Sequence, residues 1–150
     1  MIITFIGHSK LHDSNLLREQ LYTTIMKNIK PKENNTFYCG GYGDFDKLCA
    51  IVCKSIKDSV PNCESVYISP YLTSSAQKKM RYLIESNLYD STIYPPIEEV
   101  PPKFALIKRN EWMITEADLV ISYVKHTYGG AYKSLEYARK NKKRIINITE

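Results

Sequence analysis

The stretch TFYCGGYGDFDKLCAIVCKSI, residues 36–56, carries the pattern that decides the fold. Thr36-Phe37-Tyr38-Cys39 is β-rich and uncharged, and it runs straight into Gly40-Gly41-Tyr42-Gly43. From Asp44 the period changes. Leu48, Ile51, Val52 and Ile56 define one apolar helical stripe, with Asp44 as the expected N-cap. A strand therefore feeds a helix through a glycine-rich turn.

The same alternation extends in both directions. Ile2 to Ile6 is a short apolar run ending at Gly7. Asp13 or Ser14 can cap a helix in which Leu17, Leu21, Ile25 and Ile29 recur every four residues, and Pro31 follows where that helix should have stopped. Val66-Tyr67-Ile68 is a third strand, and a polar helix is expected from Ser75 to Ile84. Glu85 to Lys103 departs from the pattern, with Pro95-Pro96, Glu98-Glu99 and Pro101-Pro102, and reads as a loop or surface excursion. Ala105, Arg109, Trp112, Met113 and Glu116 then share one helical face, and Asp118 begins the turn into Leu119-Val120-Ile121-Ser122. A glycine-bearing loop from Tyr123 to Gly130 leads into a helix marked by Ala131, Leu135 and Ala138, and Arg144 to Ile148 is the last strand. Strands this apolar leave no face for solvent. The expected fold is α/β: a Rossmann-like, doubly wound parallel sheet of about five strands with helices on both faces, residues 1–150 forming a single domain.

Composition narrows the class. The 150 residues are 43% hydrophobic and 25% charged, which excludes wholesale disorder and a disulfide-dense scaffold. The apolar runs are of strand length, so no membrane span is expected. The amino terminus, MIITFIGHSK, lacks a basic leader and a cleavage site; it reads as a strand and points to a cytoplasmic protein. Lys and Arg total 21 against 16 acids, a surplus of +5 that suits an anionic ligand. Because that surplus is dispersed along the chain, nucleic acid is not the expected partner. Cys49 and Cys53 can share a helical face, but Cys39, Cys49, Cys53 and Cys63 lack paired metal spacing. Reduced, buried thiols are expected, with neither metal nor cofactor.

In an open parallel sheet, ligands lie beyond the carboxyl ends of the strands, where strand order reverses. Three loops leave strand ends with residues suited to that place: Gly7-His8-Ser9-Lys10, Cys39 to Asp44, and His126 to Tyr132. Glycines admit close backbone approach, and the helix starts that follow offer free N–H donors to phosphate. His8 is either a phosphate ligand or acid, or a solvated loop histidine; His126 has the same two readings. Asp44 can accept from a ribose hydroxyl or simply cap its helix. Tyr42, Tyr128 and Tyr132 can stack on a base or serve packing. The cationic run from Arg139 to Arg144 reads as a solvated turn at a helix end.

The strings FIGHS (5–9), CGGYGDFD (39–46), ALIKRNEWMITEADLVIS (105–122) and YGGAYKSLEYA (128–138) together resemble the SLOG superfamily. More narrowly they resemble its small YspA-like branch, related to the cytokinin-activating LOG proteins and to the DprA-type DNA-processing proteins. The resemblance implies a Rossmann-like sheet that binds nucleotides at its strand ends, and a homo-oligomer. Its LOG members hydrolyse the N-glycosidic bond of nucleoside monophosphates. Arg109 matches the arginine of the LOG Arg-x-x-x-Met stretch, where a guanidinium fork can hold a phosphate; its alternative is a structural pair with Asp118 or Glu116. Gly129-Gly130 matches the core of the LOG phosphate loop, but Tyr128 replaces its proline.

The expected ligand is a nucleotide or another ribose-phosphate compound. Its phosphate would lie against the helix starts after Gly43 and Gly130, and the binding residues would be Gly7, His8, Ser9, Gly40, Gly41, Gly43, Asp44, Arg109, Gly129, Gly130 and Ala131. The departures from the LOG loop favour a sensing or sequestering module over an N-glycosidase. For the enzymatic alternative the candidate acids are Asp44, Glu111, Glu116 and Glu136. DNA binding of the DprA kind is the second alternative.

Overall fold

A computed structural model describes residues 1–12 and 14–149. The chain alternates strand and helix: β1 (Ile2–Gly7), α1 (Asn15–Asn28), β2 (Asn35–Cys39), α2 (Asp44–Ser59), β3 (Cys63–Ile68), α3 (Ser74–Glu85), β4 (Ser91–Ile93), α4 (Ala105–Glu116), β5 (Leu119–Tyr123), α5 (Gly129–Lys140) and β6 (Arg144–Asn147). The strands form one six-stranded sheet in the order β4-β3-β2-β1-β5-β6. All five neighbouring pairs are parallel. The fold is thus the α/β, Rossmann-like arrangement that the strand pattern implies. The chain winds outward from β1 to β4, then returns through α4 to lay β5 on the other side of β1. Strand order reverses between β1 and β5.

The strand period of two divides the core. Ile3, Phe5, Phe37, Cys39, Tyr67, Leu119 and Ile121 pack with Leu17, Leu21 and Ile25 of α1, the apolar face of α2 and Met80 of α3. Ile6, Val120 and Val124 point the other way and pack with Ile114 of α4 and with Leu135 and Ala138 of α5. Met113 of α4 meets Val66 and Ile68 on that second face. Cys39, Cys49 and Cys53 lie buried as free thiols, and Cys63 is half-buried and free. Burial pushes the Cys49 and Cys53 thiols well up, so they are protonated packing groups.

Four local expectations need correction. The sheet has six strands, not about five, because Ser91–Ile93 adds an edge strand inside the expected loop, in register with Val66–Ile68. Three residues beside two prolines are too few to show a period, and tertiary ties hold the segment instead. The Asp90 carboxylate accepts from Ser65 N–H at 2.8 Å and meets Lys57 Nζ at 2.8 Å, while Tyr89 and Ile97 are buried. The prolines at 101 and 102 open a single 3-10 turn, Pro102–Phe104, rather than loop. Ile51 is 45% exposed, because Phe45, Leu48, Cys49, Val52, Cys53 and Ile56 form the buried stripe and position 51 lies about 200° round the helix from Cys49. Gly43, not Asp44, is the N-cap of α2. For α1 the N-cap is Ser14, whose side chain makes no capping bond; the Asp13 alternative lies outside the described residues.

Candidate functional site

A cavity of about 500 Å³ opens where the strand order reverses, above the end of β1 and between α4 and the first turns of α5. Phe5, Ile6, Leu106, Ile107, Met113 and Ile114 give it apolar walls. Its polar lining comes from four segments: Ser9 after β1; Tyr42 and Asp46 around the start of α2; Arg109, Asn110 and Glu111 on α4; and Lys133, Ser134 and Tyr137 on α5. Of the residues expected to bind ligand, Gly7, Ser9, Arg109, Gly130 and Ala131 line this cavity, and so does the candidate acid Glu111.

The first turn of α5 forms one end of the cavity. Its N-cap is Tyr128, with no side-chain capping bond, and Gly129 adopts φ +88°. A helix start of this kind leaves its first N–H groups without intrahelical acceptors. Gly130 needs neither a left-handed φ nor the lack of a side chain for packing, since a Cβ built there meets nothing within 4 Å.

The start of α2 is built differently. Asp44 N–H donates to Ser9 O at 2.9 Å, Phe45 N–H donates to His8 O at 3.4 Å, and the Asp44 carboxylate accepts from Leu11 N–H at 3.0 Å. This helix start is closed by the β1–α1 loop, and it carries Asp44 and Asp46 in its first turn. At this helix start the Asp44 and Phe45 N–H groups already have acceptors and the first turn carries two acids, so the first turn of α5 is the more open of the two. Gly7, although at the cavity, answers a packing need, since a Cβ there would sit 2.2 Å from the Phe45 ring. Gly40, Gly41, Gly43, Asp44 and Gly129 do not line the cavity.

Arg109 is 1% exposed and reaches from α4 to the ends of two strands. Its Nη1 donates to Gly40 O at 2.9 Å and to Ile68 O at 2.7 Å, and its Nε donates to Asn110 Oδ1 at 2.9 Å. Neither acid weighed as its structural partner takes that role. The Asp118 carboxylate instead accepts from Ile2 N–H at 2.7 Å, and Glu116 is exposed at the end of α4. Burial lowers the Arg109 pKa, and Asp46 opposes that shift. Asp46 Oδ2 accepts from Tyr42 N–H at 3.0 Å, yet burial outweighs this bond and the Arg109 charge, and its carboxyl is pushed up to about 6. Both groups crowd Gly40, where an added Cβ would lie 3.0 Å from Asp46 Oδ2 and 3.1 Å from Arg109 Nη2.

His8 turns away from the cavity. Its Nε2 accepts from Lys125 N–H at 2.9 Å, and burial, His126 and Lys125 together lower its pKa, which keeps the ring neutral and the bond intact. Glu136 pairs with Arg139 at 2.6 Å along α5, outside the cavity, as Glu116 is. Sequence reading passed over Asp46, Lys133 and Tyr137. Asp46 had a usable signal: it stands two residues from Asp44, more than half a helical turn away, on the side facing Arg109.

No family model matches the chain, and no curated protein does. Solved structures do. One describes the single-stranded DNA binding mode of DNA processing protein A from Helicobacter pylori: TM-score 0.60, 17% identity, 97% of this chain and 63% of that one. Another is DNA processing protein A (DprA) from Streptococcus pneumoniae: TM-score 0.62, 13% identity, 95% of this chain and 48% of that one. The chain thus spans less than two thirds of either neighbour. At these identities the likeness is one of fold. These neighbours also overturn the expectation that set nucleic acid aside as a partner, because the fold is shared with a protein described by how it binds single-stranded DNA. Among the described residues no helix is long and apolar enough to cross a membrane.

Proposed function

We propose that residues 1–150 form one SLOG-like domain, of the YspA-like branch, that binds a nucleotide or nucleotide derivative in the cavity between α4 and α5. The phosphate would lie against the first turn of α5, near Lys133. Gly130 is the observation that carries this reading. It lines the cavity at an uncapped helix start, and neither packing nor backbone geometry requires a glycine there. Absence of a side chain at that point leaves room for an anion against free N–H groups. The apolar walls suit a base, and Asp46, Glu111 and Ser134 offer acceptors to its amino groups or to ribose hydroxyls.

Sensing or sequestering is the leading role, because Glu136 is paired with Arg139 along α5 and lies outside the cavity. Hydrolysis of an N-glycosidic bond would need a carboxylate near the anomeric carbon, and the lining acids are Glu111 and Asp46; Asp44, Glu116 and Glu136 lie elsewhere. A second reading is that the nucleotide belongs to single-stranded DNA, which the fold likeness to DprA favours.

Calorimetric titration with AMP, dAMP and ADP-ribose tests the proposal in wild type and Gly130→Val. Wild type should bind at least one of them. The variant should lose about a hundredfold or more in affinity and keep its melting temperature to within about 3 °C, an unburied change being close to neutral. Affinity unchanged in Gly130→Val would overturn the placement of the phosphate. Mass analysis after incubation separates binding from loss of the base.

A further inference from the structure

Beside the cavity, three rings form a ladder across the loops after β1 and β5. The His8 ring lies 4.6 Å from that of His126, and the His126 ring is stacked on Tyr128 at 5.0 Å with 16° between planes. His8 is itself pinned through Nε2 to the Lys125 N–H. The His8 rung is thereby held, whereas Tyr128 at the outer end is 70% exposed. We propose that this ladder is a stacking platform for a second nucleobase, joined through a phosphodiester or pyrophosphate bridge to the nucleotide in the cavity. The inference rests on the nucleotide reading and deepens it: the ligand has two bases bridged by phosphate.

Three features of the chain support this. Tyr128 directly precedes the glycines at the start of α5, so its Cα lies within about 7.6 Å (two Cα steps) of Gly130 Cα, beside the phosphate position. One face of its ring is filled by His126 and the other is open to water, an arrangement that costs little to order further when a base stacks on it. The surroundings suit a bridging anion: Lys125 lies over the neighbouring Tyr123 ring at 5.2 Å, and Lys133 lines the cavity one helical turn on. A ladder serving only to pack the loop would have no reason to end in so exposed a ring.

Fluorescence anisotropy or calorimetry with dAMP, the dinucleotide pdApdA, NAD and the single strand (dA)12 tests this on wild type, Tyr128→Ala and Tyr128→Trp. Wild type should bind pdApdA about 5- to 100-fold more tightly than dAMP, the range expected for one added base stack. Tyr128→Ala should abolish that gain and leave dAMP affinity unchanged, while Tyr128→Trp should keep it. A further gain with (dA)12 supports the platform and identifies the source as a strand. NAD equalling pdApdA, with no gain for (dA)12, supports the platform and identifies a dinucleotide. Equal affinity for dAMP and pdApdA in wild type, or equal loss of both in Tyr128→Ala, overturns the platform and leaves the cavity reading standing. If no probe binds at all, the proposed function falls, and the platform with it.

Discussion

Arg109→Ala removes a cation that ties α4 to the ends of β2 and β3. Its Nη1 serves the Gly40 and Ile68 carbonyls at 2.9 and 2.7 Å, and the side chain is 1% exposed, so water cannot readily replace it. Each hydrogen bond from a charged donor is worth roughly 1.5–3 kcal/mol. Losing both therefore costs about 3–6 kcal/mol, and at about 2–4 °C per kcal/mol for a chain of this size the melting temperature should fall by roughly 6–24 °C. Asp46 also loses its cationic neighbour, and its carboxyl should move further above the value of about 6 that burial already imposes. Urea unfolding at pH 7, monitored by circular dichroism, measures the loss directly. A loss below about 1 kcal/mol, with nucleotide affinity severely reduced, would refute this reasoning and make Arg109 a ligand-holding group rather than a structural knot.

Other changes probe the same neighbourhood. Gly7→Ala sets a methyl 2.2 Å from the Phe45 ring and should cost about 1–3 kcal/mol in denaturant unfolding; an unchanged midpoint would mean that α2 shifts freely. For Asp46, the folded carboxyl holds its proton up to about pH 6 against an ordinary 3.8, so the folded state binds more protons than the unfolded one between those values. Stability from this group is present below about pH 4 and is lost as pH rises through 6, by roughly 3 kcal/mol at 1.36 kcal/mol per unit. Wild type should therefore lose about that much relative to Asp46→Asn between pH 4 and pH 7, and parallel pH profiles for the two proteins would contradict the assignment.

The windings of the sheet were legible along the chain because hydrophobic periodicity is local. Ile2 to Ile6, the four-residue spacing from Leu17 to Ile29, and Leu119 to Ser122 each declare their element within a few residues, and their apolar content requires a sheet covered on both faces. Resemblance of short motifs pointed to Arg109 and to the glycines that open α5. The strand Ser91–Ile93 was not legible, since it exists only by pairing with β3.

The particular roles around the cavity belong to tertiary structure. Three glycine-bearing loops look alike as strings, but β1 and α2 close on each other through Ser9 and Asp44, while α5 keeps its first turn open. Arg109 meets carbonyl groups 69 and 41 residues away, and Asp118 closes on Ile2 at a separation of 116. No local pattern encodes such contacts. Elements are determined by near-neighbour periodicity and propensity, which the amino-acid sequence displays by itself. Which donors stay free for a ligand is determined by where the folded chain has already used them, and only the packed structure decides that.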